Sequence, residues 1–267
     1  LIHSFIAFLS RMFSFKRVIW ALAFRNFQAR FIGTGAGILW TVVHPLATVL
    51  VFWLVFSLGF KAKGPDDVPF VLYFMTALLP WSFLSETLVA SAGAVIGNQH
   101  LVKKMVFPTE TLPVVEILAA TFSHLMLLGC TFALLFLHGI FPGWATLQLA
   151  YAYLCGCALT LGLGWGLSAI NVFHRDIGQS LPTVLSFWFW ATPVVWDINM
   201  LPEHWRPLMN LNPAFHVVES YRAALLYERP VWNDWKQTAA FWVMVTLIGL
   251  AGAYVFRRLK PEFADMI

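Results

Sequence analysis

Charge is scarce in this chain: Asp, Glu, Lys and Arg make up 11% of its 267 residues, less than half of the roughly 25% that a soluble domain carries. Such a chain cannot clothe a water-facing surface, and its 60% hydrophobic content and mean hydropathy of +0.74 exclude a soluble globular fold. Cysteine is scarce too. The three present, Cys130, Cys155 and Cys157, match neither a zinc site nor a redox CxxC pair and read as small packing residues. No two histidines stand at i and i+4, the spacing that puts two ligands on one helix face, so no helical metal site is expected. A secretory leader is also missing from residues 1–15, which are apolar but have neither a basic start nor a small-residue cleavage site.

What fills the chain instead is apolar sequence in long runs. About 20 mostly apolar residues carry a helix across roughly 30 Å of hydrocarbon, and runs of that kind lie at 38–60, 70–97, 112–137, 145–170, 181–196 and 239–256. The pattern predicts an all-α polytopic membrane protein, with six transmembrane helices forming a single transmembrane domain over 1–267. The 181–196 run is short for a full crossing, so tilt or local thinning of the bilayer is expected there. Lys and Arg set the orientation, because positive charge is retained in the cytoplasm. Of the 17 such residues, 11 fall on segments that share a side with the termini and 6 on the other, which predicts cytoplasmic termini. The pI near 9.1 then reads as contact with anionic lipid heads or a cytoplasmic protein, not nucleic acid.

Ahead of the first span, Trp20, Phe24, Phe27 and Phe31 recur at spacings of 4, 3 and 4 with Arg25, Asn26, Gln28 and Arg30 between them. That spacing predicts an N-terminal amphipathic interfacial helix over 12–34, rings in the acyl boundary and cations toward head groups or a docked protein. Gly33, Gly35 and Gly37 break it. The run has no preceding strand and no Lys-Ser/Thr pair, so it is not a phosphate loop. Gly93 with Gly97, and Gly162 with Gly166, stand four apart and read as small-residue faces for close helix approach. Between the second and third spans, 98–111 carries Lys103, Lys104, Phe107 and Pro108, a short helix ended near the proline. A second turn on the same side carries Arg175, and both protrusions can insert into a partner. The 197–238 segment is too apolar for solvated coil, so short re-entrant outer-face helices are expected between spans five and six. One starts at Asn212-Pro213, with Asn as cap and Pro in the first turn, and puts Glu219 and Arg222 on one face.

Glu86 and Glu116 are the acids inside the predicted spans, with His44 and His124 as polar neighbours, and intramembrane ionisable groups are functional suspects. Glu86 is expected near a water-filled lumen; Glu116 is expected to snorkel or to pair with Lys103 or Lys104. No chain of acids and histidines links the two faces, which counts against a proton relay, and Ser168 lacks the second glycine of a nucleophile elbow. With no catalytic constellation and no nucleotide site, the chain needs an energy source elsewhere.

Three stretches carry a family resemblance. The first is Arg25-Asn26-Phe27-Gln28-Ala29-Arg30-Phe31 leading into Gly37-Ile38-Leu39-Trp40 and His44-Pro45; the second is the Lys103-to-Pro108 connection. The third is Asn212-Pro213-Ala214-Phe215-His216-Val217-Val218-Glu219 with Tyr221-Arg222. In this order they resemble the permease subunits of ABC transporters that export polysaccharides, over almost the whole chain. The resemblance implies a permease homodimer in the bacterial inner membrane bound to two cytoplasmic ATPase subunits, which hold ATP and Mg, with no cofactor in this chain. It implies a glycan substrate, lipid-linked O-antigen, capsule or teichoic acid, passing along the dimer interface between the first and fifth spans. It also makes Arg25, Arg30, Lys103, Lys104, Phe107, Pro108 and Arg175 the ATPase-coupling group, and Asn212, Pro213, His216, Glu219 and Arg222 the outer-face signature.

Aromatic residues are abundant, with 13 Trp and 25 Phe, and flat rings offer apolar area to sugar faces. Successive helical residues turn by about 100°, so Phe187-Trp188-Phe189-Trp190 wraps its helix. Pro182, Ser186, Phe189, Pro193 and Trp196 stay near one face, which selects Ser186, Phe189 and Trp196 for the path with Trp190 at its margin. Phe187 and Trp188 then face lipid or neighbouring helices. In the first span Trp40, His44 and Thr48 share a face. The tryptophan load favours a neutral or lightly charged glycan, O-antigen first, with capsule, teichoic acid, drug or lipid export as alternatives. A polytopic enzyme acting on lipid-linked sugars would need an acid and histidine cluster, for which Glu219, His216 and Asp197 are the plausible group.

Overall fold

The chain turns from its interfacial helix into its first span at Gly33 and Gly37, whose φ of 82° and 52° lie in the left-handed region that a side chain resists. Before the turn lies α1 (Lys16–Ala29). After it, α2 (Trp40–Phe52) is entered through a 3-10 turn at Gly37–Leu39 and left through a π-helical turn at Trp53–Gly59. The computed structural model describes residues 8, 10–31, 33, 35–103, 107–141, 143–230 and 235–266, so Lys104 lies outside the described residues. The remaining long helices are α3 (Phe70–Gly97), α4 (Leu112–Leu137), α5 (Leu149–Phe173), α6 (Asp176–Ala191), α7 (Pro213–Leu225) and α8 (Trp235–Leu259). A short helix, Gln99–Lys103, follows α3. Among the described residues extended pairing is confined to the isolated bridge between Lys63 and Pro69. The fold is all-α, as the hydropathy pattern predicts.

Among the described residues five stretches are long and apolar enough to cross a membrane: Gly37–Gly59, Phe70–Gly97, Thr109–Leu137, Trp144–Phe173 and Trp235–Met266. The sixth expected span is shorter. α6 has 16 residues, about 24 Å at 1.5 Å per residue against roughly 30 Å of hydrocarbon. It also ends before residue 196: Thr192 leaves the helix at φ −99° and ψ 135°, because the ring of Pro193 pushes the preceding residue into extended backbone. Trp196 therefore does not share a helical face with Phe189. Its indole instead donates to the Trp190 carbonyl at 3.0 Å, one of the acceptors left open at a helix C-terminus.

Packing centres on α3, where 61% of the apolar window is buried, whereas only 6% of the first span's window is buried. The first span thus stands at the margin with its apolar surface uncovered by this chain. α1 lies across α4, burying Ile19, Leu22, Ala23 and Phe27, with Phe27 against Phe122 at 5.1 Å between ring centroids. α5 and α8 meet through glycine, Gly162 and Gly166 opposing Gly249 and Gly252. The equally spaced Gly93 and Gly97 do not repeat this: both are exposed, and a Cβ at either meets nothing within 4 Å. Cys130, Cys155 and Cys157 are free thiols.

At the other end of the bundle α7 starts as its sequence predicts. The Asn212 side chain accepts from the Ala214 amide at 3.1 Å and Pro213 occupies the first turn. Asn212 also accepts the Trp188 indole at 2.8 Å and donates to the Thr192 hydroxyl at 2.9 Å, which ties α7 to the end of α6. Nearly three turns of helix further on, Arg222 is 0% exposed. It donates to the carbonyls of Pro193 and Val194 at 2.8 and 2.9 Å and to Glu219 at 2.7 Å, and lies 3.6 Å from the Tyr73 ring centre.

Candidate functional site: an aromatic and polar cavity within the bundle

A cavity of about 920 Å³ lies between α2, α3, α4 and α6. Prolines shape two of its walls. Pro45 has no N–H for the Thr41 carbonyl and Pro182 none for that of Gly178, which loosens α2 and α6 where Trp40, Thr41, His44, Pro182, Ser186, Phe189 and Trp190 line the space. α3 contributes Trp81, Ser82, Ser85 and Glu86, and α4 contributes Ser123 and His124. From Leu79 to Ala90 the lining follows α3 over 12 residues, about 16 Å, so the cavity reaches through roughly half of the hydrocarbon. Rings crowd its far end. Phe189 lies 5.5 Å from Trp81 and 6.4 Å from Phe52, which stacks on the buried Phe74 at 4.6 Å.

The near end is charged. Arg30, where α1 ends, pairs with Glu86, whose carboxylate also accepts the Ser123 hydroxyl at 3.1 Å. Burial lowers the Arg30 pKa from its ordinary value and the negative charge of Glu116 opposes the shift; the guanidinium stays protonated. Glu116 is not bound by Lys103. Asn26 of α1 donates to it at 2.7 Å, and the neighbouring Arg25 reaches Asn98 at 3.0 Å. The physical reason is that α1 lies on the protein and directs Asn26 inward onto α4, where its amide gives the buried carboxylate a hydrogen bond while the nearby Arg30 and Arg25 supply the opposing charge, without a lysine having to bend back.

Arg30 therefore serves two carboxylates. Replacing it with Met is expected to lower stability by about 2 kcal/mol, the cost of leaving buried acids without a cation, reduced for partial exposure. Glu86→Gln keeps an acceptor for Ser123 and leaves Arg30 beside Glu116, so its loss should be about half as large. Thermal unfolding of the two purified variants checks the order; equal losses would show that Arg30 serves Glu86 alone.

Of the residues expected along a path, Trp40, His44, Ser186, Phe189 and Trp190 line this one cavity. Thr48 does not: its hydroxyl donates to the His44 carbonyl of its own helix at 3.2 Å. In the expected coupling group Arg25, Lys103 and Arg175 are exposed, while Phe107 and Pro108 are buried, Phe107 lying edge-on to Phe15 at 5.8 Å. His216, Glu219 and Asp197 each take a different partner. His216 stacks on Phe241 at 4.4 Å, Glu219 binds Arg222, and Asp197 accepts from Asn199 at 3.0 Å. Among the described residues no group of His, Cys, Asp and Glu is placed to hold a metal. Glu86 lies at this cavity as expected of a residue near a lumen, but the path drawn from the first and fifth spans leaves out the wall built by Trp81, Ser82, Ser85 and Ser123. The polar residues Glu86 and His124, out of place in apolar runs, were the available signal.

The sequence model of the family described as "ABC-2 type transporter" matches residues 17–226. The chain belongs to this family. Over 258 residues it is 29% identical to the O-antigen export system permease protein RfbA of Myxococcus xanthus, covering 96% of this chain and 97% of the relative. It is 23% identical to the protein of the same name from Klebsiella pneumoniae, covering 91% and 92%. It is 24% identical to the polysialic acid transport protein KpsM of Escherichia coli, covering 92% and 95%. The resemblance carried by the interfacial helix, the Lys103-to-Pro108 connection and the Asn212-to-Arg222 stretch is thus borne out, and this ABC-2 permease is a multi-pass membrane protein. The Gly33-to-Gly37 run is preceded by α1 instead of a strand and lacks the Lys of a phosphate loop.

Proposed function

We propose that this ABC-2 permease is the membrane channel subunit of an ATP-driven exporter that moves a lipid-linked polysaccharide, O-antigen-like, out of the cytoplasm across the bacterial inner membrane. It works as a homodimer with two cytoplasmic ATP-binding subunits, which hold ATP and Mg, and both of its termini are cytoplasmic. The observation that carries this reading is the cavity wall of Trp40, Trp81, Phe189 and Trp190 between the marginal first span and α6. Rings give a moving sugar chain apolar faces without fixing each hydroxyl in a hydrogen bond, so one surface serves every repeat. The uncovered first span supplies the apolar face for the second copy. Arg25, Lys103 and Arg175, exposed on the termini's side, are the handles through which nucleotide-driven motion enters, and Arg30 carries movement of α1 to Glu86 at the cavity.

Among the described residues Arg30 is the only Lys or Arg along the cavity, and Glu86 pairs with it. That charge balance favours a neutral or lightly charged glycan over a polyanion such as capsule. Phe189→Ala and Trp40→Ala, made separately and expressed at wild-type level in cells that depend on this permease, should each reduce surface glycan at least about fivefold, the loss of roughly 1 kcal/mol of ring contact. Co-purification of the ATP-binding subunit should be unchanged in both. Arg25→Glu with Lys103→Glu should do the reverse, losing the subunit while the cavity stays intact. Unaltered glycan in both ring variants would refute the ring-lined path.

A further inference from the structure

A second cavity, about 620 Å³, opens between α5 and α8 away from the proposed path. Its walls are apolar and small, with Ala158 and Gly162 on α5 and Gly249 and Ala253 on α8. From Thr246 to Arg257 it follows α8 over 12 residues, about 16 Å, which is the depth of one leaflet of a roughly 30 Å hydrocarbon layer. The charges all sit at one end. There Arg11, Arg257 and Lys260 surround a single carboxylate, that of Glu110. Arg11 and Lys260 each take one oxygen of Glu110, while exposed Arg257 has no ion pair among the described residues. Arg11 and Lys260 come from opposite ends of the chain, so this end of the groove lies on the side of both termini.

We propose that this groove is a binding site for an anionic phospholipid of the leaflet on the termini's side, phosphate against Arg257 and an acyl chain between α5 and α8. Basic pockets between transmembrane helices bind anionic head groups in this way. Depth decides for a lipid against an acidic protein partner, because a carboxylate side chain answers the cation but leaves a leaflet-deep apolar slot empty.

The test uses the full chain purified in detergent and titrated with phosphatidylglycerol or phosphatidylcholine of matched acyl chains, read by native mass spectrometry. Wild type should retain phosphatidylglycerol in preference to phosphatidylcholine. Arg257→Gln should weaken phosphatidylglycerol binding about fivefold, the worth of one basic contact near a charged membrane surface. Gly249→Leu, where a Cβ meets nothing within 4 Å, should fill the groove, weaken binding at least as much and leave the unfolding midpoint in lipid-free detergent no lower than that of wild type. Equal retention of the two lipids by wild type, or unchanged phosphatidylglycerol binding in either variant, would overturn the proposal.

Discussion

Arg222→Ala is expected to cost about 3–5 kcal/mol, the scale for stripping one partner from a fully buried charged network. The arginine is buried by neighbours that all need it. It donates to the Pro193 and Val194 carbonyls, which follow a proline-broken helix end and have no helical partner, and to Glu219, and it lies against the Tyr73 ring. Alanine would leave two acceptors and a half-covered acid facing a void the size of the guanidinium. Arg222→Lys keeps the charge but presents a point donor in place of a planar fork, so it should recover only part of the loss. Tryptophan fluorescence during thermal unfolding gives the order wild type, Lys, Ala; an alanine variant within about 1 kcal/mol of wild type would show that the network contributes little. Export should fall with stability, since the Pro193–Val194 turn fixes the end of α6 and with it Phe189 and Trp190.

Much of this was readable where physics acts locally. Apolar runs mark the long helices because lipid offers the backbone no partner, so only self-satisfied helices of sufficient length survive there. Asn212-Pro213 announces α7 because a cap acts within two residues. The error at Trp196 was also local: the proline after Thr192 carried the information, and a face drawn by counting 100° steps ran straight through it. Glu116 is different in kind. Its partner, Asn26, is 90 positions away, and nothing near either residue distinguishes it from the lysines beside the short helix. Thr48 failed for a related reason, since spacing tells which residues share a face and says nothing of how far along that face the cavity extends.

Glycine spacing makes the same point through a paired experiment. Gly252→Leu should prevent α8 from docking, because a Cβ there meets the backbone carbonyl of Gly162 and comes within 3.4 Å of the Gly166 amide nitrogen. Backbone inside a helix has no rotamer through which to yield, so the cost should reach about 3 kcal/mol or more, the upper range for overpacking. Gly249→Leu puts the same side chain on the same helix three residues earlier, where the added Cβ enters open space. It should fold at wild-type yield and gain up to about 1 kcal/mol, because glycine is a poor helix former. Monodispersity on size exclusion and the thermal midpoint separate the two variants; similar behaviour at both positions would contradict the α5–α8 packing. No second change at residue 162 should rescue Gly252→Leu, because the obstructing atom is the Gly162 carbonyl oxygen and glycine has no side chain left to remove. Only a shift of the whole helix could make room, and that shift would pull Gly249 away from Gly162 and reshape the groove beside them.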